Sequence, residues 1–386
     1  MENSRGPTGS AALPAHAVPL AEMDEAWRAV SAGERLAEVR RAARALRERV
    51  LESGKVACVR TFDVSPAPYA TRFGFAGAAR SPVPYLVITN RVNVVQFETL
   101  DGELKTLLFN PTDAERSQRT PVFRAFTRGP LGRIVEWAAS LLPRPKPWER
   151  LAGLGLAPED VDYVAFDHLH TQDLRAVMGT DAPTPDEETP LRPWFPRAKL
   201  LVWRPEMEIL RDVHPLQRYW YVPDCLTGVD PARIVPVERD LLLGRGVALV
   251  RTPGHTVGNW SLVLNTDSGV WAVSENGIAC DAYAPEASAI PGLRGYARRM
   301  NEEVVLNSNT LELRNEQYTS MILEKTLVDR CKDNPDFYQH FPSSELTPTP
   351  LTPGLAPTYR HKAISSGEPR PAQARPAAPS ASPQAA

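Results

Sequence analysis

Two periods of apolar residues organise this chain. From about Glu22 to Ser53, Trp27, Val30, Leu36, Val39, Ala43, Leu46 and Val50 recur at helical spacing among many Arg and Glu residues, and Gly54 is a fitting stop. From Lys55 to Asn110 the period shortens. Val56–Val59, Tyr85–Thr89, Asn93–Glu98 and Leu104–Phe109 are β-branched or aromatic runs separated by Pro, Gly, Asn and Asp, and Asp101-Gly102 is a hairpin turn between the last two. A helix is expected over Thr127–Pro147. A second strand-rich stretch runs from about Val161 to Ala279, with Lys199–Trp203, Val247–Arg251, Trp260–Leu264 and Val270–Val273 as its clearest strands. Tyr318, Met321, Ile322, Lys325 and Val328 then share one face of a helix expected between Asn315 and Cys331. Strands, helix, strands, helix without a repeated unit predict two β-rich halves covered by helices, a layered α/β arrangement.

Composition sets the limits of this domain. Residues 1–20 and 347–386 are rich in Pro, Ala, Ser, Gly and Thr and are expected to be disordered, because they hold too little apolar surface to offset ordering entropy. Residues 21–54 form the expected N-terminal helix and 55–346 the main domain. A net charge of −2 gives no reason to expect nucleic acid, and no segment approaches the ~20 apolar residues that span a bilayer. A small-molecule substrate is expected, with homo-oligomerisation left open. Cys58, Cys225, Cys280 and Cys331 are scattered without a Cys-x-x-Cys pair, which suits buried thiols in a reducing compartment, and no apolar leader opens the chain; the expected location is the cytoplasm.

Chemistry concentrates in a few of the seven histidines. His168 and His170 come where the apolar run Tyr163–Phe166 ends. Residues two apart in extended backbone face the same side, so both imidazoles can converge on one ion. His255 lies in the sequence Thr-Pro-Gly-His-Thr-Val-Gly after another apolar strand, presented at a tight loop by Pro253, Gly254 and Gly258. Borderline divalent metals favour such nitrogen ligands. His16 and His361 fall in the two expected tails and carry no assigned role. His214, near the aromatic run Tyr219–Tyr221, reads as a surface residue or a substrate contact.

Four segments, in order, resemble the metallo-β-lactamase superfamily, particularly its lactonase-like and glyoxalase-like hydrolases. Leu107–Thr112 resembles the family's early strand and turn, and Leu156–His170 its approach to the first metal motif. Thr252–Leu262 resembles the third motif almost throughout, and Val270–Glu275 the strand ending in a bridging carboxylate. The resemblance spans about Lys55 to Glu345. It implies a four-layer αββα sandwich of two mixed β-sheets flanked by helices. It also implies a site of one or two zinc ions, with iron or manganese as alternatives.

This chain departs from the family pattern at the second metal position. His-x-His-x-Asp-His stands here as His168-Leu-His170-Thr-Gln172-Asp173, so an amide replaces the usual carboxylate and Asp173 the last histidine. The resemblance assigns His168, His170 and His255 to the first metal. The second is to be rebuilt from Asp173, Glu275 (or Asp281) and His340, and Asp173 becomes the residue expected to orient or deprotonate the water; its other reading is a helix N-cap. The activity implied is hydrolysis of an ester, lactone, thioester or amide by a metal-activated water whose pKa falls from about 15.7 to about 7. The rival reading is a non-catalytic scaffold with a degenerate metal site. Metal-dependent oxygen chemistry on the same fold is a smaller alternative.

Overall fold

The computed structural model describes residues 10–126, 145–350 and 352–371. Two mixed sheets pack face to face, with helices on both outer faces. The first sheet has the order β1 (Val18–Leu20), β8 (Asp240–Gly244), β9 (Val247–Arg251), β10 (Trp260–Thr266), β11 (Gly269–Ser274), β12 (His340–Pro342). Its strands are antiparallel except for the β11–β12 pair. The second sheet runs β14 (Ser365–Gly367), β2 (Cys58–Ala70), β3 (Tyr85–Glu98), β4 (Leu104–Phe109), β5 (Tyr163–Ala165), β6 (Lys199–Trp203), β7 (Ile234–Val237), with β13 (Ser344–Leu346) also on β3. From β4 onward it is parallel.

Alternation along the strands builds the layers. Leu249 and Leu262 of the first sheet meet Val95, Phe97, Leu107 and Leu201 of the second in the inter-sheet core. Ala248, Val250 and Val263 turn outward onto Val39, Ala43, Leu46 and Val50 of α2 (Ala32–Glu52). That layer begins with the short α1 (Asp24–Arg28). The outer face of the second sheet is covered by chain that includes α3 (Thr71–Gly74), α4 (Pro121–Phe126), α5 (Pro147–Ala152) and α6 (Arg175–Met178). α7 (Arg204–Ile209), α8 (Leu293–Met300) and α9 (Arg314–Leu327) complete the described α-helices. This is the αββα sandwich expected from the sequence.

Several boundaries differ from the sequence reading. The expected N-terminal helix breaks at Ala29–Ser31, where Ser31 caps α2 through the Glu34 N–H. Val18–Leu20, expected to be disordered, pairs with β8. The expected tail is likewise held within residues 352–371. Ser365–Gly367 pairs with β2, Arg360 meets Glu345, Thr358 bonds Asp281, and Leu355 and Ile364 are buried. Backbone pairing and ion pairs supply there what apolar content does not. The helix expected over Thr127–Pro147 falls largely outside the described residues. No helix of the described residues is long and apolar enough to cross a membrane, and the four cysteines are buried and free.

One buried acid ties stability to pH. Asp240 on β8 is about 1% exposed; its Oδ1 accepts the Arg251 N–H at 2.7 Å, while Oδ2 is buried without a hydrogen-bond partner among the described residues. Burial pushes its carboxyl up to about 7 despite Arg251. The folded state therefore holds this proton longer than the unfolded chain. The resulting stabilisation is full below the ordinary value near 3.8 and is lost as pH rises through about 7. Asp240→Asn is expected to match the wild-type Tm near pH 4 and to exceed it at pH 8. A gap that stays constant between those values would show that Asp240 does not titrate in this window.

Candidate metal centre

The site forms where strand ends from both sheets meet. β5 is buried at all three residues, and its continuation carries Asp167, His168 and His170 into a cavity. His255 enters from the loop joining β9 to β10. That loop lies against α9 so closely that a Cβ on Gly254 (φ +142°) would stand 2.2 Å from the Gln317 Cα. Only glycine fits there. Thr310 fixes the same turn by donating its hydroxyl to the Gly254 and His255 carbonyls.

His168, His170 and His255 are all buried, and one ligand atom from each lies within 4.8 Å of the others. The rings meet edge to face, with centroids 4.4 Å apart for His168–His255 and 4.9 Å for His168–His170. Burial, then the neighbouring His168, pushes His170 well below its ordinary value; burial and His168 do the same to His255. Neutral imidazole is the form that binds a metal. His170 Nε2 is buried with no hydrogen-bond partner among the described residues. An orphaned ring nitrogen beside two converging imidazoles fits a borderline divalent cation.

The groups behind these rings set their orientation. Asp167 Oδ1 stands 2.7 Å from His168 Nδ1, the carboxylate–histidine pairing that leaves Nε2 for a metal. Asn110 holds Asp167 twice, donating from Nδ2 to its Oδ2 and accepting its backbone N–H. Burial alone would raise the Asp167 carboxyl, but His168 and the hydrogen bonds outweigh it and keep the group below its usual range. Asn307 Nδ2 is 3.4 Å from His255 Nδ1 and donates to the Glu275 carbonyl.

The other residues expected from the sequence separate into two groups. Glu275, just past β11, lines the same cavity, and burial followed by the Asp167 charge pushes its carboxyl well above the ordinary range. Asp173 instead faces a cationic cluster. Arg175 donates to both of its oxygens (2.9 and 2.6 Å) and Arg119 to Oδ2 (2.8 Å), so the structure places the residue expected to activate water in a buried ion-pair cluster. His340 is likewise placed elsewhere. It stacks on Tyr283 at 3.8 Å, its Nε2 lies 3.1 Å from Ser274 Oγ, and it is absent from the cavity wall. Asp281 is occupied by Ser288 and Thr358, and His214 is exposed.

Asp167, Asn110 and Asn307 were not singled out from the sequence. Asp167 and Asn110 lie inside the segments Leu156–His170 and Leu107–Thr112 that resemble the family, while Asn307 lies in none of them.

No protein-family model and no curated sequence matches the chain. Among solved structures it is similar to an N-acyl homoserine lactone hydrolase with N-hexanoyl-L-homoserine at its catalytic metal centre. That match has 18% identity over 64% of this chain and 88% of that one, with TM-score 0.42. A probable metal-dependent hydrolase from Staphylococcus aureus matches at 11% identity over 62% and 80%, TM-score 0.41. The dizinc quorum-quenching lactonase AidC matches at 10% over 57% and 73%, TM-score 0.37.

Proposed function

We propose that this protein is a metal-dependent hydrolase of the metallo-β-lactamase type acting on a small molecule with an ester, lactone, thioester or related bond. The observation that carries the reading is the convergence of three buried imidazoles, with one unpartnered ring nitrogen, on the wall of a cavity. His168, His170 and His255 would hold the ion, which when bound acidifies a water toward neutral pH and polarises a carbonyl oxygen.

The chain's own residues divide the remaining work. Asp167 keeps the His168 ring turned and its Nδ1 engaged. Ile88, Val122, Phe123 and Trp220 give the cavity an apolar wall for the body of a substrate, and Asn90, Arg91 and Gln172 supply polar contacts. Glu275 is the carboxyl on that wall nearest in role to the family's bridging ligand. One ion rather than two is the stoichiometry we favour. The reasons are the Gln172 amide, the pairing of Asp173 with Arg175 and Arg119, and the seating of His340 on Tyr283.

Turnover of a panel of lactones, aryl esters and thioesters tests the reading, with the protein stripped by chelator and then given Zn²⁺, Mn²⁺ or Fe²⁺. Hydrolysis that vanishes on stripping and returns with one of these ions is the expected result. Hydrolysis indifferent to chelation would contradict it.

A further inference from the structure

The buried carboxylate of Glu206, on α7, touches both segments that present the imidazoles. It is about 1% exposed. Its Oε1 accepts the backbone N–H of Leu169, the residue between His168 and His170, at 2.9 Å, and the Tyr221 hydroxyl at 2.9 Å. Its Oε2 accepts the Thr256 hydroxyl at 2.7 Å, one residue past His255. Tyr221 in turn packs edge-on to the His170 ring at 4.7 Å and bridges His170 through the backbone. Every donor to this carboxylate is therefore a neighbour of a candidate ligand. Backbone packing reinforces the junction, since a Cβ on Gly258 would lie 2.5 Å from the Glu206 N.

We propose that Glu206 is a positioning residue that locks the His168–His170 segment and the His255 loop into one metal-binding unit and balances the charge of the ion they hold. This rests on the metal-binding reading above. None of its three hydrogen-bond donors is a cation, and an isolated charge in the interior is costly. Three neutral imidazoles leave a divalent ion with its full charge. Beside Glu275 on the cavity wall, Asp167, on His168, and Glu206, behind both segments, are carboxylates placed to offset that charge without ligating. Such outer partners typically change metal affinity by about 10–100-fold.

Glu206→Gln tests this, because it keeps the size and the Oε1 acceptor while removing the charge. Affinity for Co²⁺, by competition with a chelator, and the visible spectrum of the Co²⁺ protein are the readouts, and Tm is recorded beside them. The expected result is an affinity about 10–100-fold weaker with a shifted spectrum. An affinity within twofold of wild type and an unchanged spectrum would overturn the proposal, whatever the Tm. If Glu206→Gln does not fold, Thr256→Val, which removes only the bond to the His255 loop, takes its place; a weaker Co²⁺ affinity supports the proposal and an unchanged one overturns it. Wild-type protein that takes up no Co²⁺ would sink the metal-binding reading and this inference together. Normal uptake by both wild type and variant sinks only this one.

Discussion

Arg175→Ala is expected to lower the unfolding free energy by about 3–5 kcal/mol, the cost of leaving one partner of a buried ion pair uncompensated. Both residues of the pair are fully buried, and the guanidinium engages Asp173 through Nε and Nη2. It also reaches Asp186 through both terminal nitrogens. Lysine in its place is expected to recover little, because a single ammonium cannot reproduce that forked geometry. With total stabilities of about 5–15 kcal/mol typical of native proteins, the loss is large. Urea denaturation of the two proteins measures it. A change under about 1 kcal/mol would mean that Arg119 and Arg116 already satisfy Asp173.

The second large effect belongs to the metal centre. His255→Ala removes one of three nitrogen ligands and leaves a space that water fills without holding the ring positions of His168 and His170. The fall in Zn²⁺ affinity is expected to exceed the roughly 100-fold that loss of an outer hydrogen-bond partner can cost. The loop itself should survive, because Thr310 bonds its backbone carbonyls rather than the imidazole. A near-normal Tm with lost metal is therefore the expected signature.

The parts of this architecture that the sequence discloses share a physical cause. β4, β6 and β9 have the bounds read from their apolar runs because each is a short, densely apolar strand ended by polar or turn residues. His168, His170 and His255 are legible because strand ends and a Pro-Gly turn fix where their side chains go locally. The second metal position is not legible in that way. Asp173 is paired with Arg119, 54 residues earlier, and no local pattern encodes that pairing. The place of His340 on Tyr283 is likewise set by how α9 and β12 pack. Glu206 hides best. It took no part in the sequence reading, and only the tertiary fold turns it inward onto Leu169 and Thr256.

Elemental analysis of purified, reconstituted protein tests the central claim most directly, with His255→Ala alongside. The account predicts close to one equivalent of zinc, manganese or iron per chain in the wild type, and a marked loss in the variant. Two equivalents would contradict the single-ion site. Wild-type protein without metal would contradict the hydrolase reading and leave the fold as a binding scaffold.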